Sequence, residues 1–192
     1  MRSVGTLARV VVAATCLVGA TLAQAQSFHV AASVGRADWS DLDCDGGCDR
    51  NTTAFRVAAG AWFNRVVGAE AFAMDMGTAR SSDYWLDGKL RGRALGAVAL
   101  LGWRAERFDI AGKLGVASVH SRFSAAATSG WPSESKRSTE PVGGMMLAVR
   151  ATPQLSVRFD YDVMTVALIG GVYLYGRGAD VHTLSLGASY AF

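Results

Sequence analysis

The sequence predicts a closed, antiparallel, up-and-down β-barrel of eight strands that crosses a membrane. Three observations lead there. Eight segments alternate apolar residues with small or polar ones at a period of two, the pattern of a strand with one apolar face. The gaps between them run roughly 12, 2, 13, 4, 17, 3 and 12 residues along the chain, so long and short connections alternate as in membrane barrels. After the first 28 residues the longest stretch without a formal charge is 163–176, 14 residues. A membrane helix needs about 20, so the 51% hydrophobic content is not spent on one. With 19 basic and 16 acidic residues spread along the chain, the overall charge implies no strong electrostatic partner, and nucleic-acid recognition is not expected.

The leader comes first. Arg2 and Arg9 precede an apolar run over 10–22, and Ala23, Gln24 and Ala25 form a small-residue cleavage site, which together read as a secretory signal peptide over 1–25. Residues 26–192 are then the barrel domain. In an oxidising compartment Cys44 and Cys48 are expected to form a disulfide that stiffens a short loop. Around it, Asp41, Asp43, Asp45, Gly46 and Asp49 imitate the first part of a calcium loop, but Thr52 stands where the bidentate glutamate belongs. A solvated acidic tip is expected there, with no metal and no cofactor.

In the first strand Phe28, Val30, Ala32 and Val34 alternate with His29, Ala31, Ser33 and Gly35. The second alternates Phe55, Val57, Ala59, Ala61 and Phe63 with Ala54, Arg56, Ala58, Gly60 and Trp62, and Asn64 and Arg65 turn the chain into a third over 66–76. The fourth, 90–103, is apolar on both faces and does not declare its phase. The fifth, 108–123, sets Phe108, Ile110, Leu114 and Val116 against Asp109, Ala111, Lys113 and Gly115. The sixth, 142–151, turns at Thr152, Pro153 and Gln154, where proline presets the turn dihedral. The seventh, from 155 to about 168, opposes Leu155, Val157, Phe159 and Tyr161 to Ser156, Arg158, Asp160 and Asp162. The eighth, 181–192, carries Leu184, Leu186, Ala188, Tyr190 and Phe192 on one face. An open edge in hydrocarbon would strand backbone donors, so the first and eighth strands should pair.

Aromatic residues fall at strand ends: Phe28, Trp62, Phe63, Trp103, Phe108, Tyr190 and Phe192 at the short-turn end, Trp39 and Phe123 at the long-loop end. They are expected to form interfacial girdles. A soluble ligand-binding barrel would instead turn its apolar face inward. The strand phases place Arg56, Glu70, Lys113, Arg150, Arg158, Asp160 and Asp162 inside, where buried charges must be paired. The long loops, 40–51, 77–89, 124–140 and 169–180, carry Tyr84, Trp85, Trp131, Tyr173 and Tyr175, residue types that favour contact surfaces.

The terminal stretch 179–192, with its alternating apolar residues and final Phe192, resembles the closing strand of bacterial outer-membrane barrels. The run TPQLSVRFDY at 152–161 and the run VGAEAF at 67–72 look like the seventh and third strands of the OmpA-like transmembrane barrel family. The resemblance implies an outer-membrane location with both termini in the periplasm and surroundings of outer-membrane lipid and lipopolysaccharide. It also implies that the barrel-assembly machinery reads Leu184, Leu186, Ala188, Tyr190 and Phe192 as a signal. Glu70, Lys113 and Arg158 match the family's interior carboxylate and basic partners, where exchange of ion pairs opens a narrow passage. The resemblance covers the barrel alone, so the cell-wall tethering of full-length relatives is not carried over.

The function expected is structural, with low-conductance gated passage through the interior; the alternative is surface binding or adhesion through the loops, to an extracellular ligand. A lipid-modifying outer-membrane enzyme is a minor alternative, but catalysis is not the expectation. His120 and Ser121 are adjacent on a strand and face opposite ways, and His29 and His182 lie at different heights.

Overall fold

The computed structural model describes residues 27–40, 48–83, 86–126, 134–166 and 179–192. The leader 1–25, Cys44 with the rest of the acidic stretch 41–47, and the loop aromatics Tyr84, Trp85, Trp131, Tyr173 and Tyr175 lie outside the described residues. The strands are β1 (Ser27–Trp39), β2 (Cys48–Asp49), β3 (Asn51–Trp62), β4 (Val67–Asp83), β5 (Leu86–Arg104), β6 (Phe108–Ala126), β7 (Glu134–Arg150), β8 (Leu155–Val166) and β9 (Ala179–Ala191). β2 is a two-residue continuation of β3 along β4, so the barrel has eight staves.

Each stave pairs antiparallel with its neighbours, and the ring closes between β1 and β9, from His29 opposite Ala191 to Trp39 opposite Val181. Closure satisfies the backbone donors of both edges, which is why the first and last strands meet. The tight turns are fastened by side chains suited to the task. Asn64 Oδ1 accepts from the amides of Val66 and Val67 at 2.7 Å, and Thr152 Oγ1 accepts from that of Leu155 at 3.0 Å.

Burial is inverted relative to a soluble barrel. Leu114 is 68% exposed, Leu95 66% and Trp103 61%, all on the outer wall, while Glu70, Lys113, Arg158, Asp160 and Asp162 are buried inside. This wall is stable only against hydrocarbon, so the soluble ligand-binding alternative does not hold. It also resolves the phase of the fourth stave: Leu95, Leu101 and Trp103 face out, and Leu90, Val98 and Leu100 face in.

Two expectations need correcting. Residues 77–89 and 124–140 are not long loops: β4 and β5 continue to Asp83 and from Leu86, and β6 and β7 to Ala126 and from Glu134. Their sequence loses its apolar alternation above the membrane, although a ladder in water still pairs its own backbone. The ladder between β7 and β8 stops at Val142, beside Pro141, which has no amide to donate. β4 to β7, at 17 to 19 residues, overshoot the 12 to 13 of β1, β3, β8 and β9 and form a four-stranded sheet standing above one side of the barrel.

The second correction concerns three aromatics. Trp39 and Trp62 are buried in the lumen and Phe123 packs against the interior cluster, so none of them belongs to a lipid-facing girdle. Parity decides this, since each continues the inward phase of its strand.

Where the extended sheet leaves the barrel, β4 gains a residue between Asp75 and Thr78, and Gly77 there has φ +77°. This is a bulge built on left-handed glycine. A Cβ at Gly77 would lie 2.6 Å from the Thr53 carbonyl. Gly77→Ala should destabilise the barrel by about 1–2 kcal/mol in urea titrations of vesicle-inserted protein. An unchanged midpoint would show that the bulge tolerates a side chain.

Candidate functional site

The inward-facing positions divide the lumen into two layers. The layer nearer the turns is ionic. Arg158 grips two carboxylates at once: its Nη1 and Nη2 donate to Glu70 at 2.5 and 3.0 Å, and its Nε and Nη2 donate to Asp160 at 2.8 and 2.7 Å. Arg56 Nη2 donates to Glu70 Oε1 at 2.5 Å and lies within ion-pair distance of Asp160 and Asp162, with its guanidinium 5.0 Å from the centre of the Phe72 ring. Lys113 Nζ bridges Asp160 at 2.9 Å and Asp162 at 2.5 Å. His29 Nε2 lies 3.1 Å from Glu70 Oε2.

Three carboxylates thus face three permanent cations, and the layer is neutral as a whole. Charges stripped of water are tolerated only under such balance. Its geometry depends on glycines. Gly144 lies in register with both Lys113 and Asp162, so the ion pair from β6 to β8 passes over a stave that has no side chain. Gly60 does the same between His29 and Glu70, and a Cβ there would come within 2.9 Å of the imidazole. On β1 and β9, Ser33 and Gly187 leave the volume that Arg56 and Arg158 occupy.

The layer nearer the loops is apolar: Met76, Leu90, Val119, Val142, Met164, Val166 and Val181 meet around Trp39. Trp39 crosses the lumen from β1, and a Cβ built on Gly92 of β5 would lie 2.8 Å from its Cη2. Its indole Nε1 donates to Thr52 Oγ1 at 3.2 Å, and Thr52 donates onward to the Met76 carbonyl at 2.5 Å. A buried indole donor needs such a partner, and here it fixes the ring across the opening.

Of the seven charged residues that strand phase assigns to the interior, six meet in the ionic layer. Arg150 does not join them. It sits at the turn-end rim, donating to Asp109 at 2.7 Å and to the carbonyls of Ala105 and Glu106. The sequence pattern does not by itself single out His29, Asp109 and Trp39 as site residues. All three nonetheless continue the inward phase of their strands, so counting parity to the strand ends finds them. His120 lies on the outer wall and Ser121 is buried on the inner face, where its hydroxyl meets the Lys136 carbonyl, so the two diverge. Leu184, Leu186, Tyr190 and Phe192 project outward along the last strand, Phe192 being 76% exposed and edge-on to Tyr190. Cys48 has a described backbone in β2, but its expected partner Cys44 lies outside the described residues.

The sequence matches the profile of the outer membrane protein beta-barrel domain over residues 10–192. Among solved structures it is similar to Ail, the attachment invasion locus protein of Yersinia pestis, at 20% identity and a TM-score of 0.54, covering 86% of this chain and 97% of that one. It is similar to a major outer membrane protein from Thermus thermophilus at 15% identity and a TM-score of 0.61, covering 86% and 98%. It also aligns with the N-terminal β-barrel domain of Pseudomonas aeruginosa OprF at 14% identity and a TM-score of 0.50, covering 88% and 100%. At these identities the shared feature is the fold. No curated protein matches the sequence.

Proposed function

We propose, from the premise that this chain belongs to the outer membrane protein β-barrel family, that it is a structural barrel of the bacterial outer membrane whose interior is closed at rest. In this reading residues 1–25 direct export, the turn end and both termini face the periplasm, and the loop end faces outward. Leu184, Leu186, Ala188, Tyr190 and Phe192 serve as the assembly signal. The observation that carries the reading is the stacking of two unlike seals in one lumen, a charge-balanced ionic layer below and an apolar layer crossed by Trp39 above. An eight-stranded barrel has room only for side chains, and a dry apolar constriction blocks ions even where charges below could exchange partners. Passage therefore requires both layers to rearrange, so any gate is a double gate.

Planar-bilayer recording of the folded wild-type protein tests this. The expected trace is flat, with folding confirmed by resistance to protease. Discrete openings of the wild type would overturn closure and restore the ion-pair exchange gate.

A second reading concerns the sheet of β4 to β7. Four staves that outrun the membrane give the barrel a rigid platform, and a surface-binding role at the loop end is supported by that excess length. Truncating the platform at the bulge should abolish any surface binding and leave the barrel folded.

A further inference from the structure

The outer face of the raised sheet is strongly basic. Parity puts Arg80 of β4, Lys89, Arg91 and Arg93 of β5, Arg122 of β6 and Arg137 of β7 on it, and all six are exposed. Arg91 stands directly opposite Arg122, and Arg93, His120 and Arg137 occupy one rung across three neighbouring strands. Like charges so placed repel across about 5 Å. The described acids on this face are Asp75, which accepts from Arg91 at 2.7 Å and Arg93 at 3.1 Å, and Asp49, which stands in register with Arg80 at the far edge. Arg122 and Arg137 form no ion pair among the described residues. Such a cluster is costly unless an anion completes it.

Directly beneath lies a groove of about 500 Å³ in the outer wall. Its floor is apolar, with Phe55, Val57, Ala73 and Leu95, and its upper rim carries Arg93, His120 and Arg137 beside a single carboxylate, Asp75. Leu95 sits one rung, about 7 Å, below Arg93 on the same strand. Hydrocarbon and phosphate are thus both satisfied within one headgroup's reach. Among the described residues the opposite side of the barrel shows no such rim: on β8 and β9 the corresponding outer positions are Thr165, His182 and Asp180, with Thr165 donating to Asp180 at 2.9 Å.

We infer that this face binds one lipopolysaccharide molecule through the phosphates of its lipid A. An acyl chain lies in the Phe55–Leu95 groove, one phosphate sits on the rung of Arg93 and Arg137, and the second lies above it between Arg91 and Arg122. A bis-phosphorylated disaccharide suits two adjacent basic rungs better than a glycerophospholipid with one phosphate. Guanidinium forks bind phosphate bidentately, which gives the site selectivity beyond net charge. The assignment rests on the reading that the loop end faces the outer leaflet.

The test uses the full folded chain in detergent micelles doped with bis-phosphorylated lipid A, dephosphorylated lipid A or phosphatidylglycerol, with retained lipid counted by native mass spectrometry. Retention of bis-phosphorylated lipid A should fall about tenfold or more in Arg93→Ser/Arg137→Ser and stay at the wild-type level in Arg65→Ser/Arg107→Ser, which removes equal charge at the turn end. The other two lipids should be retained about tenfold less by the wild type. Equal retention by the two double variants, or phosphatidylglycerol held as well as lipid A, overturns the site. Protease protection in vesicles is measured in parallel. Failure to insert would sink the membrane reading itself, whereas insertion without lipid A selectivity sinks only this inference.

Discussion

Glu70→Ala should lower the unfolding free energy of the membrane-inserted barrel by about 3–5 kcal/mol, the largest loss expected from any single substitution in the ionic layer. Glu70 accepts from Arg158 through both oxygens, from Arg56 at 2.5 Å, and faces His29 at 3.1 Å. Its removal leaves Arg56, Arg158 and Lys113 against Asp160 and Asp162 alone, in a site where all five are buried from bulk solvent and the surplus charge is poorly screened. Glu70→Gln keeps the shape and part of the hydrogen bonding and should cost less. The double variant Glu70→Ala/Arg158→Ala restores neutrality, so its cost should fall short of the sum of the singles by about 2 kcal/mol. The contrast is Asp75→Ala: its pairs with Arg91 and Arg93 are solvent-exposed, and the loss there should be under about 1 kcal/mol. Urea unfolding in lipid vesicles reads all of these. A Glu70→Ala cost as small as that of Asp75→Ala would mean that water already fills the ionic layer, and the sealed reading would fail with it.

The second large effect is on conductance, and it should be strongly non-additive. Trp39→Ala opens the apolar layer but leaves the ionic layer intact; Glu70→Ala loosens the ionic layer but leaves Trp39 across the lumen. Each alone should remain near background. Trp39→Ala/Glu70→Ala should leak ions at least about tenfold above the sum of the two singles. The lining then holds three cations against two carboxylates, so the leak should favour anions, visible as the sign of the reversal potential in a salt gradient. A single variant that conducts as well as the double would show that one layer alone closes the barrel. A cation-selective leak would mean that current bypasses the ionic layer.

Much of this design is written in the sequence because a strand has a side-chain period of two. Once one outward residue of each strand is placed, such as Phe55, Phe108 or Leu155, the alternate residues of that strand must face in, and the inward assignment of Arg56, Glu70, Lys113, Arg158, Asp160 and Asp162 follows strand by strand without a structure. The outward set ending at Phe192 follows in the same way, and so does closure, because hydrocarbon forbids an open edge. Apolar alternation is a signal only where the wall meets lipid. Above the membrane the outer face of β4 to β7 turns polar and the alternation fades, so the ladder that runs on through Arg80, Lys89 and Arg137 reads as loop.

Parity assigns a face but not a height or a partner, and these the tertiary structure decided. Arg150 shares the inward phase of the other charges yet sits at the rim with Asp109, because its height along β7 puts it beside the turn rather than in the lumen. Lys113 reaches Asp162 because the register of three staves sets Gly144 between them, and Trp39 meets Gly92 because closure folds β1 toward β5. The stagger of antiparallel neighbours and the closing of the ring depend on pairings far apart in the chain, and a pattern read along one strand carries no information about them.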